Sequence, residues 1–164
     1  MKNVFITYNN NSDIGENTAL RMQTLSNLYG FSVFLPFRIG HSDISFETKE
    51  RIDNSRFILA FAIGRYSRIL KNELEYALSK KKPIIIIYDK KERNKIKFPN
   101  RSNVKEVIID YYNTDEALHQ ISNFLNEQFA DLNSRKKSNE HAIGTALIGI
   151  GLGLLAYWAL SDNR

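Results

Sequence analysis

The chain contains no cysteine, which removes disulfides, thiolate metal sites and a cysteine nucleophile from consideration and fits a reducing compartment. Its three histidines, His41, His119 and His141, stand far apart in different surroundings. No H-x-x-x-H pair exists, so a metal site is not expected. The opening MKNVFITYNN has too short an apolar run for a secretory signal peptide. No nucleic-acid-binding motif occurs, so nucleic acid is not an expected partner.

Charge is missing from one whole stretch, AIGTALIGIGLGLLAYWAL, nineteen residues at 142–160. As a helix rising ~1.5 Å per residue it would extend ~28 Å, close to the ~30 Å core of a bilayer. Tyr157 and Trp158 fall near its far end, where interfacial aromatics belong. Arg135, Lys136 and Lys137 on the near side predict that the preceding domain stays cytoplasmic. Thr145, Gly149 and Gly153 share one helical face at small-xxx-small spacing, a surface for close helix pairing in lipid. The competing reading is a buried C-terminal helix of the soluble domain. A core helix of this length seldom lacks a polar face, so a single-pass transmembrane helix is expected, with lipid as its partner. GIGLG within it is no dinucleotide fingerprint, because it neither follows a strand nor opens a helix. The expected organisation is a domain over 1–132, a basic linker over 133–141, the transmembrane helix over 142–160 and a short tail over 161–164.

What is present before residue 133 is ample for a packed core, with 43% apolar and 12% aromatic residues in the chain as a whole. The net charge of +5 is uneven: Lys80 to Arg101 holds nine Lys or Arg against Asp89 and Glu92. A solvated loop after a helix C-terminus accounts for such a cluster, and an anion-binding face is the functional alternative.

Apolar runs and helical patterns alternate along this part. NVFITY, RFILAFAI, IIIIY and VKEVIIDY read as strands, as does FSVFLPF, which ends near Pro36. Ala19, Met22, Leu25 and Leu28 mark a first helix that Gly30 should stop. Ser42 or Asp43 is placed to cap a short second helix over about 44–54. Leu70, Leu74, Ala77 and Leu78 mark a third helix; Leu118, Ile121, Leu125 and Phe129 mark a last one that Thr114 can cap. RFILAFAI alternates too little for a one-sided sheet and is expected to be buried on both faces. The pattern predicts an α/β fold, a parallel sheet with helices on both faces.

The stretch RILKNELEYALSKKKPIIII carries two acids with different prospects. Glu75 lies outside the buried stripe, four residues after Lys71, an ordinary surface pairing worth a few tenths of a kcal/mol. Glu73 borders the stripe, and its helical neighbours Ile69, Leu70, Tyr76 and Ala77 include no cation. Such a carboxylate either points to water or faces a site built with other elements.

VFITY, LYGFSVFLPF, RIDNSRFILAFAIGRYS and LKNELEYALSKKKPIIII, in that order, resemble a Toll/interleukin-1 receptor (TIR) domain of bacterial type, over about residues 3–130. The resemblance implies a flavodoxin-like five-stranded parallel sheet. It implies that Glu73 stands where catalytic members carry the glutamate that cleaves NAD+, the substrate rather than a bound cofactor. Tyr8, Asn9 and Asn10, with Phe37 and Arg38, would form the rest of the substrate wall. Arg38 is placed to pair with the diphosphate or to stand as an exposed loop cation. The chain departs from the family in having Asn9 and Asn10 where a basic residue is frequent, and Ile69 where an aromatic is frequent. Together with the apolar tail, the resemblance implies a membrane-anchored enzyme that hydrolyses or cyclises NAD+ in antiphage or cell-suicide immunity, self-associating through domain and tail. Its alternatives are a non-catalytic TIR scaffold or an effector whose tail disrupts the membrane on oligomerisation.

Overall fold

A computed structural model describes residues 2–26, 28, 31–40, 43–65, 67–90, 97, 101–128, 148–149, 151–154, 156–157 and 160–161. Gly30, most of the lysine-rich loop (91–96, 98–100), the linker 133–141, Thr145 and Trp158 lie outside these residues, as does part of the apolar stretch 142–160.

β-Branched and aromatic residues make five strands: β1 (Lys2–Tyr8), β2 (Phe31–Phe34), β3 (Phe57–Ala62), β4 (Ile84–Asp89) and β5 (Val104–Ile109). They pair in parallel in the order β2-β1-β3-β4-β5, a flavodoxin-like sheet. Helices α1 (Asp13–Ser26), α2 (Phe46–Asp53), α3 (Arg68–Ser79) and α4 (Asp115–Gln128) connect or follow them.

Strand pleating divides the core. Val4, Ile6 and Tyr8 of β1 and Phe57, Leu59 and Phe61 of β3 face Ala19 and Met22 of α1 and Ala117, Ile121 and Phe124 of α4. Phe5, Ile58, Ala60 and Ala62 face the opposite layer, Ile52 of α2 and Leu70, Leu74, Ala77 and Leu78 of α3. Every residue of β3 is buried, as its unbroken apolar run predicts. The edge strand β5 is one-sided, with Val107 and Ile109 buried and Ile108 exposed.

Three helix starts carry a serine cap, the first being Ser12, whose hydroxyl accepts from the Gly15 N–H at 3.2 Å on α1. Ser67 accepts from the Leu70 N–H at 3.3 Å on α3. On α2 the cap is Ser45, accepting from the Thr48 N–H at 3.1 Å, and not Ser42 or Asp43. Ser45 holds that position because its hydroxyl also donates to the Phe37 carbonyl, fastening the preceding loop. Thr114 stands before α4, its carbonyl accepting from the Leu118 N–H. On the surface of α3, Lys71 and Glu75 form the expected i,i+4 pair, 3.5 Å apart.

Among the described residues no helix is long and apolar enough to cross a membrane. The described residues of the apolar stretch are helical and lie on the α1–α4 layer. Ile148 and Leu152 are buried there, and Leu154 is partly buried against the same cluster. A Cβ at Gly149 would touch Leu118 of α4, while one at Gly151 would meet Met22 of α1. Gly153 is exposed, and a Cβ there would touch nothing within 4 Å, so of these two glycines only Gly149 lies against α4.

Candidate functional site

In a sheet of this order the chain crosses to opposite faces on either side of β1 and β3, and ligands bind beyond the strand C-termini at that switch point. Three residues at the end of β1 occupy it, each pointing differently. Thr7 faces the α3 layer, Tyr8 faces α1, and Asn9 leaves the strand.

Glu73 projects from the inner edge of α3 beneath the end of β1 and is 1% exposed. The Thr7 hydroxyl donates to its Oε2. Arg38, from the loop after β2, closes over it with two donors: Nε to Oε1 at 3.0 Å and Nη2 to Oε2 at 2.9 Å. The same Nη2 reaches Thr7 Oγ1 at 3.1 Å and the Tyr8 carbonyl at 2.9 Å. The guanidinium also stacks on the Tyr8 ring, 4.8 Å from its centroid. The cation that the neighbouring positions on α3 do not supply therefore comes from another element. Arg38 is not an exposed loop cation; its side chain is 14% exposed and paired.

The loop that carries Arg38 is itself held. The Phe37 N–H donates to Thr48 Oγ1 at 2.8 Å, and the Phe37 carbonyl accepts from Ser45 and Thr48. Arg51 donates to the Leu35 carbonyl at 2.6 Å. The Phe37 side chain is left half-exposed, beside the exposed Ile39 and Phe46.

Tyr8 is wedged between Arg38 and the first turn of α1. A Cβ at Gly15 would lie 3.3 Å from the Tyr8 Cβ, so only glycine lets the two approach without displacement. Burial, together with the neighbouring carboxylates of Glu16 and Glu73, pushes the phenol pKa up, and Arg38 opposes the rise.

Asn9 is fully buried and committed to the backbone. Its amide donates to the Ile63 carbonyl at 2.8 Å, and its side-chain oxygen accepts from the Ser67 N–H at 3.1 Å. It ties β1 to the loop that positions α3 and presents no free polar atom to a ligand. Asn10 is exposed beside it. The structure thus brings Glu73, Arg38 and Tyr8 into one cluster, puts Asn9 behind it and leaves Asn10 and Phe37 at its rim. Thr7 is the member that sequence reasoning passes over. Its signal is a hydroxyl between Ile6 and Tyr8 at the apolar end of the strand, which alternation sends to the face opposite Tyr8.

Chemically, the cluster is a buried carboxylate with a removable cover. A bidentate guanidinium donates to phosphate oxygens as readily as to carboxylate oxygens. An anionic ligand beyond the C-terminal ends of β1 and β3 can therefore draw Arg38 off Glu73 and leave the carboxylate to accept hydroxyl hydrogen bonds. Among the described residues no group of three or more side chains suits a metal ion. No protein-family model matches the chain, and no curated protein matches it.

Proposed function

We propose that this is a TIR-type protein that cleaves or cyclises NAD+ at Glu73, tethered to membrane lipid through 142–160 with its N-terminal domain cytoplasmic. The observation that carries the reading is the buried Glu73 carboxylate at the switch point, covered by a phosphate-compatible Arg38. Two phosphates of NAD+ take over the guanidinium, and the freed carboxylate receives the ribose hydroxyls next to nicotinamide. The C1′–N bond then breaks, its electron pair going to the pyridinium nitrogen, and neutral nicotinamide leaves. Glu73 stabilises the positive charge that develops on the ribose. Addition of water at C1′, with loss of a proton, gives ADP-ribose; capture by the substrate's own adenine or ribose gives a cyclic product. Antiphage or cell-suicide immunity is the setting that this chemistry suits, since it depletes a shared nucleotide or makes a signal.

A second reading is supported by the same closure. Glu73 is so fully paired that the cluster can serve as a structural ion pair in a self-associating scaffold, with Phe37, Ile39 and Phe46 as exposed apolar contacts. The test is nicotinamide release from NAD+ by concentrated protein, beside Glu73→Gln checked for native circular dichroism. Release that Glu73→Gln abolishes supports the enzyme. Equal release from both removes Glu73 from the mechanism, and no release from assembled wild type leaves the scaffold.

A further inference from the structure

The apolar tail is matched to its seat on one side only. Ile148, Gly151 and Leu152 form the buried stripe of the seated helix, at spacings of three and four. Gly151 permits the closest approach: its ideal Cβ would fall 2.5 Å from Met22 Sδ, so a side chain there would displace Met22. The other side has no counterpart to the polar face of a surface helix. Gly153 and Tyr157 point outward, Tyr157 is 63% exposed, and 142–160 carries no charge on any side. A helix adapted permanently to this groove would show water-compatible residues on its outer face; this one is apolar all round, as a lipid-facing helix is. Nineteen residues, 129–147, separate the last described turn of α4 from Ile148. At the limit of about 3.5 Å per residue, nineteen residues of chain could span more than the ~30 Å core of a bilayer.

We infer that the tail has two alternative seats, the groove between Met22 of α1 and Leu118 of α4, and the interior of a lipid bilayer. The groove covers one stripe while the protein is in water, and a bilayer removes the helix from it by covering every side. Membrane attachment is then an exchange, whose two ends compete for the same residues. The inference rests on the membrane half of the proposed function and is independent of the chemistry at Glu73.

The absence of cysteine makes the exchange directly testable. In the full chain carrying Met22→Cys and Gly151→Cys, oxidised at low protein concentration, the two new thiols are the only ones and can form one intramolecular disulfide; the position-151 Cβ lies 3.6 Å from Met22 Cγ, the atom whose place a cysteine Sγ would take. The probe is flotation with uncharged phosphatidylcholine vesicles, which gives the basic segments nothing to bind. The reduced protein is expected to float. The oxidised protein should remain in the aqueous fraction, its vesicle-bound share down about tenfold or more. Leu118→Glu, which charges the groove and leaves the tail intact, should raise the vesicle-bound share. Failure of the disulfide to form, while reduced protein floats, removes the groove seat and leaves the membrane reading. A disulfide that forms in a protein that never floats removes the lipid seat. Flotation of oxidised and reduced protein alike, or no rise with Leu118→Glu, overturns the exchange.

Discussion

Arg38 and Glu73 are thirty-five residues apart in sequence and joined by two charge-assisted hydrogen bonds, with the carboxylate 1% exposed. The pair links the loop after β2 to the middle of α3 across the end of β1. Its energetics follow from burial rather than from attraction alone, because neither charge can be left alone at this depth.

Removing one partner should therefore cost more than removing both. Arg38→Met strands a buried carboxylate and should lower stability by about 3–5 kcal/mol. Glu73→Gln keeps the shape and should cost less. The double variant should recover part of the Arg38→Met loss, giving a coupling of about 1–3 kcal/mol in a double-mutant cycle by urea denaturation. Strict additivity would show that the two side chains do not interact in solution.

Tyr8 should make stability fall in alkali. Its folded-state pKa is raised above 10.0, first by burial and then by Glu16. The folded state consequently holds the phenolic proton more tightly than the unfolded chain. That contribution is complete below about pH 10 and is lost progressively as pH rises through the folded-state value. Tyr8→Phe should flatten this limb in a series of urea melts and remove a phenol that titrates above the ordinary tyrosine value from the tyrosinate absorbance curve. An unchanged curve would contradict the assignment.

Asn9→Ala should destabilise by about 1–3 kcal/mol, because the Ser67 N–H and the Ile63 carbonyl lose a buried partner. Asn9→Asp keeps the acceptor for Ser67 but puts an oxygen opposite the Ile63 carbonyl, so it should not restore stability. Asn10→Ala, at an exposed position, should stay within about 0.5 kcal/mol of wild type. Chemical denaturation of the three variants separates the buried brace from its neighbour.

The sheet was legible because its strands are apolar runs long enough to bury on both faces, RFILAFAI most plainly. Glu73 was legible as an acid at the border of a buried stripe, a matter of helical angle. Its partner was not. Contact with Arg38 depends on how a loop is strapped to α2 by Thr48 and Ser45, and no local pattern encodes that distance. Asn9 stood out as a loop residue after a strand, where ligands bind, yet the backbone of the next crossover uses its amide. The cap of α2 fell to Ser45 rather than to Ser42 or Asp43, and Ser45 with Thr48 joins the helix start to the Phe37 carbonyl, a tertiary contact that no local pattern shows. The tail shows a different limit: its composition describes what every side of the helix tolerates, and Met22 and Leu118 decide where one side rests.

The hydrogen atom that serves as Gly15's side chain sets a clearance for the whole cluster. A methyl in its place would crowd Tyr8, tilt the aromatic platform and drag the guanidinium resting on it. The opening turn of α1 thus acts as a backstop behind the ring on which Arg38 rests.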